Sequence, residues 1–286
     1  MPEFQQLRPG DEDALVKFLV DRGASSIFLQ SAFEREGLAA SGQAPTLFYG
    51  AFRGTDLLGV VGQGARGTLW IQAPEHAAEL ARTLVAYSGR SPPSIAGPYA
   101  QVQLARKALG RDTHTARIDA CETLYELELD ELVVPTSLLD GKVERIHPTQ
   151  RHLDVLIRWA NDYAVEVLGL AQTHAHLAAT REKIQRAITN NEIWMLLERG
   201  VPVARSSFSA RTSNAVQVSA MYTPPEMRRR GFARSIVAAS LADMHEKGIR
   251  LTALFMDPSN RAGQACVRSL GFKPTAYFGV LIFDRA

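Results

Sequence analysis

The chain has 286 residues, of which 46% are hydrophobic and 22% are charged, and its formal net charge is +2. This composition predicts a soluble protein with a sizeable core, and the length suits one large domain or two of ordinary size. A charge so near zero gives no global field that would attract nucleic acid or an anionic membrane surface. No apolar run is long enough for a transmembrane helix, and the first residues lack the features of a secretory signal.

The two cysteines, Cys121 and Cys266, lie far apart in the sequence and outside any CxxC pattern. They therefore indicate neither a disulfide framework nor a zinc ribbon, and a reducing cytoplasm is the expected location. His174 and His176 are two residues apart, so on a helix they leave different sides and need not converge on a metal. We expect no bound metal.

Alternating and helical hydrophobic patterns follow each other through the N-terminal part of the chain. An acidic run at residues 11–13 precedes the first helix, as the helix dipole prefers. The predicted elements, in order, are a strand at 3–7, a helix at 14–20, a hairpin of 46–52 and 57–61, a strand at 68–73, a helix at 76–87, a strand at 94–97, a helix at 101–109 and a strand at 123–129.

The C-terminal part begins in the same way, with a strand, a turn at Pro148 and a helix whose apolar residues share one face. Its predicted elements are a strand at 142–146, helices from about 153 to 164 and 176 to 189, a hairpin of 193–197 and 201–208, a strand at 216–222, a helix at 232–247, a strand at 251–256, a helix at 262–270 and strands within 277–283.

Short sequence matches in the same order suggest that the two parts are copies of each other, with chance similarity of turn sequences as the alternative. Each match falls on corresponding elements. The matched positions are 8–9 with 147–148, 53–54 with 199–200, 74–75 with 225–226, and 109–110 with 270–271.

The C-terminal copy carries an insertion, residues 227–232, between its third long strand and the helix that follows, and the N-terminal copy lacks it. The inserted loop contains Arg228, Arg229, Arg230 and Gly231. The first amide groups of a helix lack intrahelical partners, and with the dipole and the arginines they form an anion site suited to a pyrophosphate. A solvated charge run or a nucleic-acid patch is the alternative, although such a patch usually carries more basic and aromatic residues.

The segment MYTPPEMRRRGFA, from Met221 to Ala233, resembles motif A of the GNAT superfamily of acyl-CoA N-acyltransferases, whose core pattern is [Q/R]-x-x-G-x-[G/A]. Asn260 and the later LGF at 270–272 are similar to the motif that follows it in this superfamily. The resemblance covers residues 142–286. The whole chain resembles the tandem subgroup, in which a degenerate N-terminal GNAT-like domain precedes a complete one.

This resemblance implies an α/β (α+β) fold of two GNAT-like domains in tandem, each a mixed, mostly antiparallel sheet flanked by helices. The implied domains are residues 1–130, degenerate, and residues 131–286, complete. The implied activity is that of an acetyl-CoA-dependent N-acetyltransferase. An amine of a small molecule, peptide or protein would attack the thioester directly. The N-terminal domain shows no recognisable site chemistry, so we expect it to be structural.

The resemblance also implies which residues hold acetyl-CoA. The strand ending at Thr223 would separate from its neighbour and pair its backbone with the pantetheine arm, while the inserted loop would hold the pyrophosphate. For Asn260, the role of a helix N-cap is an equal alternative. The implied residues are Met221, Tyr222, Thr223, Arg228, Arg229, Arg230, Gly231, Phe232, Ala233, Arg234, Ser235 and Asn260.

The catalytic groups are not identifiable from the sequence. Many relatives place a tyrosine, as proton donor, seven residues after the asparagine, and here that position is Val267. Glu226 and Glu192 are candidates for the general base, but each is also explained as a solvated surface residue. A non-catalytic acyl-CoA-binding regulatory module is therefore the alternative function. The expected partners are acetyl-CoA and an amine, without nucleic acid or membrane, and the sequence leaves the acceptor and the oligomeric state open.

Overall fold

The computed structural model describes residues 1–39, 45–111, 116–166, 169 and 174–283. Within these ranges all the strands belong to a single mixed sheet, and helices cover both of its faces. The strands are β1 Glu3–Gln6, β2 Leu47–Arg53, β3 Asp56–Gln63, β4 Leu69–Gln72, β5 Ser94–Pro98, β6 Ala116–Glu128, β7 Glu144–Ile146, β8 Ile193–Glu198, β9 Val201–Arg211, β10 Ala215–Tyr222, β11 Leu251–Met256 and β12 Lys273–Phe283.

The helices follow the predicted pattern closely, with α2 and the short α5 as additions that the sequence pattern does not predict. None of the described helices is long and apolar enough to cross a membrane. The helices are α1 Glu12–Val20, α2 Ile27–Glu36, α3 Ala77–Ser88, α4 Tyr99–Ala108, α5 Thr136–Leu139, α6 Leu153–Glu166, α7 His174–Thr189, α8 Phe232–Glu246 and α9 Arg261–Arg268.

The order of strands across the sheet is β1-β2-β3-β4-β5-β12-β6-β11-β10-β9-β8-β7. The pairs β4–β5 and β10–β11 are parallel, and the other neighbours are antiparallel. Two mostly antiparallel sheets in tandem are thus confirmed. The structure adds that the two sheets join edge to edge into one.

The join is an exchange of strands between the N-terminal half (residues 1–130) and the C-terminal half (residues 131–286). Strand β6 belongs by sequence to the first half, yet it lies between β11 and β12 and pairs antiparallel with both. Strand β12 ends the second half and pairs on its other edge with β5 of the first. The boundary between residues 130 and 131 remains a prediction, because each half completes its sheet with a strand of the other.

Alternation along β6 explains how this strand serves two layers at once. Tyr125 and Leu127 enter the large core beneath α8, where they pack with residues of β8 to β11. Leu124 points to the opposite face and packs with Ala24 and Ala253. From Thr123 to Glu126, β6 is therefore paired on both edges, and it packs against a core on each face.

Two helical layers fix the C-terminal part of the sheet. On one face α8 packs against Trp194 and Leu196 of β8. On the other face α6 and α7 pack against Ile193 and Met195, which alternate along β8 with Trp194 and Leu196. The surface that carries the site, described below, lies where these layers meet the end of β10.

The strand exchange generates a prediction about fragments. A fragment of residues 131–286 lacks β6, so β11 and β12 lose their partner and the core loses side chains worth about 1.5–3 kcal/mol each. We expect this fragment to be unfolded or insoluble. A fragment of residues 116–286 keeps β6, and we expect it to unfold cooperatively in urea, as followed by circular dichroism. Cooperative unfolding of the shorter fragment at the same urea midpoint would show that β6 is dispensable.

Candidate active site

Strands β10 and β11 separate towards their carboxyl ends. Their parallel pairing covers only residues Ala215–Gln217 of β10 with Leu251–Ala253 of β11, although β10 continues to Tyr222 and β11 to Met256. The remaining part of β10 therefore has a free edge on this side, with backbone groups available to a ligand. The separation expected at the end of β10 is confirmed.

A β-bulge lies on the free part of β10. Between the pairs Ser219–Ser207 and Tyr222–Arg205, β10 advances by three residues while β9 advances by two. Ala220 adopts φ 45°, which is unusual for a residue other than glycine. A bulge leaves its extra residue unpaired and turns the local backbone groups away from the ladder.

The loop after β10 turns sharply into α8. A short 3₁₀ turn spans Pro225–Met227, and the backbone then takes positive φ at Arg229 (62°) and at Gly231 (84°). Gly231 is the N-cap of α8, and its carbonyl accepts the amide of Ser235. The amides just before Ser235 have no helical partner, so the end of α8 is a site for an anion.

The free edge of β10, the loop and the start of α9 surround a single cavity of about 610 Å³. Helix α6 closes it with Tyr163 and Glu166, and Met227, Ala262, Gly263, Cys266 and Ser269 complete the lining. Ten of the twelve predicted cofactor residues line this cavity. They are Met221, Tyr222, Thr223, Arg228, Arg229, Gly231, Phe232, Ala233, Arg234 and Asn260.

Residues 154–272 match the sequence profile described as the Acetyltransferase (GNAT) family, a range that contains the loop, α8 and α9. The C-terminal half of the chain therefore contains a region that matches the GNAT family. None of the curated proteins matches the sequence at a significant level.

Solved structures with the same fold extend along almost the whole chain. A Drosophila protein superposes with a TM-score of 0.63 at 13% identity and 99% coverage of both chains. A GCN5-related N-acetyltransferase from Kribbella flavida gives 0.56 at 17% identity, covering 92% of this chain and 95% of its own. A tandem GNAT protein from the clavulanic acid biosynthesis pathway, solved without AcCoA, gives 0.51 at 13% identity and 98% coverage of both. At these identities the likeness concerns the fold.

The side chains of two predicted cofactor residues are turned away from the cavity that β10, the loop and α9 surround. Arg230 forms a two-pronged ion pair with Glu198, with N–O distances of 2.6 and 2.8 Å, and its guanidinium lies over the Phe232 ring. The Ser235 hydroxyl lies 2.8 Å from that of Ser137. Only the backbone of these two residues is left for a ligand, and their part in cofactor binding stays a prediction.

Arg228 lines the cavity but is held by an acid. Both terminal nitrogens of its guanidinium donate to Glu166 at 2.6 Å, and its Nε donates to the carbonyl of Thr223 at 3.0 Å. The hydrogen bonds from Arg228 hold the pKa of Glu166 below its ordinary value. A phosphate that uses this guanidinium has to displace Glu166 or share the arginine with it.

Asn260 has the N-cap role that the sequence left as an alternative, and it also lines the cavity. Its Oδ1 accepts the amide of Gly263 at 2.8 Å, and its Nδ2 lies 3.3 Å from the sulfur of Met256. The cap fixes the start of α9 against the end of β11, so Asn260 shapes the wall opposite β10.

Val267 does not face the cavity. It is fully buried in the core beneath α8, together with Leu254 and Leu270. The preceding residue, Cys266, points into the cavity, and burial raises the pKa of its thiol. A tyrosine at position 267 would therefore lie in this core and not in the cavity, because one residue along a helix turns the side chain by about 100°.

Neither carboxylate considered as a base from the sequence lines the cavity. Glu226 lies on the exposed side of the 3₁₀ turn. Glu192 precedes β8, accepts a hydrogen bond from Asn190 at 3.1 Å, and lines a separate depression of about 910 Å³ together with Trp194 and Phe208. In the described part of the chain, no group of three or more His, Cys, Asp or Glu side chains is placed to hold a metal ion.

Sequence reasoning missed Glu122, a half-buried carboxylate on β6 that comes from the N-terminal half. Burial, and then the charge of Asp257 at the end of β11, raise the pKa of Glu122. Tyr163, which lines the cavity, has its pKa raised by burial and then by the charge of Glu122, although Glu122 is not itself among the residues that line the cavity. No local signal marks Glu122, because the strand exchange brings it here.

Sequence reasoning also missed Arg205, which is 4% exposed in the middle of β9. Its register partners are Met195 and Tyr222, so it shares their face of the sheet, the one covered by α6 and α7. The signal available was an arginine within the predicted apolar strand 201–208.

The position of α9 predicts the effect of two neighbouring substitutions. Val267→Tyr forces a large ring into a filled core, and we expect the free energy of unfolding to fall by about 1–3 kcal/mol. Cys266→Ser is the matched control, since it changes one atom on the cavity side, and we expect a much smaller loss. Urea denaturation measures both. Equal stability of Val267→Tyr and the native protein would contradict the core position of Val267.

Proposed function

We propose that the protein is an acetyl-CoA-dependent N-acetyltransferase that transfers an acetyl group to a primary amine by direct attack on the thioester. The observation that carries this proposal is one cavity that joins the free edge of β10 to the anion site at the start of α8. The match of residues 154–272 to the GNAT family supports acyl transfer in general. Our proposal adds that the donor is acetyl-CoA and that the acceptor is an amine.

The residues present suit the parts of acetyl-CoA. The exposed backbone of Met221–Thr223 offers an added-strand mode of binding to an amide-containing arm such as pantetheine. The amides before Ser235, with Arg229 and Arg234 on the cavity wall, suit a pyrophosphate. Gly231 has the positive φ that this turn needs without a Cβ beside the anion.

Groups outside the cavity lining are assigned the remaining roles in acyl transfer to an amine. Backbone N–H groups at the bulge around Ala220 suit a developing oxyanion. We assign the role of general base to Glu122, whose raised pKa brings it nearer to neutral pH than an ordinary carboxylate. A leaving thiolate has a reference pKa of about 8.5, so it leaves near neutral pH without a dedicated acid.

Isothermal titration calorimetry of acetyl-CoA tests the proposed cofactor site. We expect one site per chain, because the N-terminal half lacks the inserted loop. Gly231→Val should weaken binding about tenfold or more, since its side chain occupies the path of the phosphate.

The matched control is Gly248→Val, at the other end of α8. Both glycines have positive φ, 84° and 88°, and a Cβ built on either meets no atom within 4 Å. The two variants therefore carry similar backbone strain. Equal affinity of both variants for acetyl-CoA would refute the assignment of the loop, and two equivalent sites in the native protein would refute the single site.

The base assignment predicts a change in the pH dependence of turnover, measured as thiol release. A base acts in its deprotonated form, so kcat/KM of the native protein should fall as the pH drops through the raised pKa of Glu122. Glu122→Gln should remove this limb and lower kcat/KM by about 10²–10⁴-fold, with acetyl-CoA affinity retained.

Glu126→Gln is the control, because Glu126 lies on the same face of β6 and burial also raises its pKa. It accepts hydrogen bonds from Ala24 and Thr275 instead of facing Tyr163. An unchanged pH profile in Glu122→Gln would exclude Glu122 as the base. Tight acetyl-CoA binding without turnover on any amine would favour the non-catalytic binding module.

A further inference from the structure

Arg205 is a buried charge without a counter-charge. Its guanidinium forms no ion pair with any described carboxylate, and its Nε has no hydrogen-bond partner in the described part of the chain. Burial lowers its pKa to about 10, so the group stays protonated near neutral pH. An isolated charge in the interior is costly, and a protein that keeps one usually supplies its partner from a ligand.

The segments outside the described residues offer few acids that could pair with Arg205. Residues 40–44, 167–168 and 170–173 contain none, and the others contain only Asp112 and Asp284. The described neighbours of these two, Arg111 and Phe283, bond to Ser91 and Pro93 of the N-terminal half.

The guanidinium lies beside the cavity described above. Tyr163 and Tyr222 both line that cavity, and both act electrostatically on Arg205. Further positive charge gathers on the same side, because Arg205 and Arg66 both lower the pKa of Lys183 on α7, after the effect of partial burial.

Opposite charges flank Tyr163. The carboxylate of Glu122 raises the pKa of this tyrosine, while the guanidinium of Arg205, whose register partner Tyr222 also lines the cavity, lowers it. An acceptor bound beside Tyr163 meets an acid on one side and a buried cation on the other. This arrangement matches a molecule that has an amino group and an anionic group.

We propose that Arg205 binds a carboxylate of the acceptor, and that the acceptor is an amino acid or another small amine that carries a carboxylate. The guanidinium fork matches a carboxylate with two parallel hydrogen bonds. The pyrophosphate of the donor has its own site at the start of α8, which leaves Arg205 for the acceptor. This inference rests on the proposed acetyltransferase function and adds the class of substrate.

Matched pairs of acceptors test the inference. Each amino acid is compared with the amine that lacks its carboxylate and with the corresponding aminophosphonate, using thiol release from acetyl-CoA by the full chain. We expect the amino acid to exceed the plain amine by about 10- to 100-fold in kcat/KM, the range for a charged hydrogen bond. Preference for the aminophosphonate would show that the anion is a phosphate-like group and would overturn the carboxylate assignment.

Arg205→Met should abolish the preference by raising KM for the amino acid, while kcat and the rate with the plain amine change little. Arg205→Lys should restore part of it. Arg211→Met is the matched control, because Arg211 lies on the same strand and is exposed. Equal preference in the native protein and in Arg205→Met would overturn the proposal.

Thermal melting separates ligand binding from a structural role. Removing an unpaired buried charge should raise the Tm of Arg205→Met without ligand, and the amino acid should raise the Tm of the native protein only. A lower Tm or weaker acetyl-CoA binding in Arg205→Met would show a structural or cofactor role and overturn the inference. Failure of the native protein to bind acetyl-CoA would instead refute the proposed function, whereas binding with equal turnover of both members of each pair refutes only the inference.

Discussion

Strand β6 has a strand of the C-terminal half on each edge, β11 on one side and β12 on the other. This double pairing joins two sheets into one and holds the separated ends of β10 and β11 at a fixed distance from the N-terminal half. It also brings Glu122 within electrostatic reach of Tyr163 on the cavity wall, and β12 pairs with β5 on its other edge. Much of the site's geometry therefore depends on an antiparallel ladder whose strands are distant in sequence.

The two sides of the cavity are built in different ways. The side proposed for the acyl donor comes from one continuous segment, in which β10, the loop and the start of α8 follow each other along the chain. The side proposed for the acceptor is assembled from β6, α6, α7 and β9, with Arg66 contributed by the N-terminal half. Donor recognition is local, whereas acceptor recognition is long-range, so substitutions far apart in sequence can change the acceptor while leaving the donor site intact.

This difference explains how much the sequence alone could predict. The loop from Arg228 to Ala233 is recognisable because its chemistry lies in consecutive residues. Ten of the twelve cofactor residues that the GNAT resemblance implied line the cavity. Glu226, in the exposed turn, and Glu192, just before β8, were candidates for the general base, but neither side chain lines the cavity. Glu122 carries no local signal, and the signal for Arg205 is only an arginine within a predicted apolar strand. The importance of both residues arises when elements distant in sequence become neighbours.

The sequence also did not predict which way side chains point or which strands and side chains pair. Spacing from Asn260 identifies position 267 but does not fix the rotation of α9, so the residue that faces the cavity is Cys266. The hydrophobic pattern predicts β6 as a strand but does not give its partners, because alternation is the same for any neighbour. The ion pair between Arg228 and Glu166 joins residues that are 62 positions apart, and no motif or spacing in the sequence indicates it.

The pairing of β5 with β12 has a consequence for synthesis on the ribosome. The N-terminal half leaves the ribosome first, but the strand that covers the edge of β5 spans Lys273–Phe283, near the end of the sequence. Until those residues have been synthesised, β5 has an unpaired edge, and β6 lacks β12 as a neighbouring strand. The two halves therefore cannot mature one after the other; they become native together, in a final step that closes the sheet.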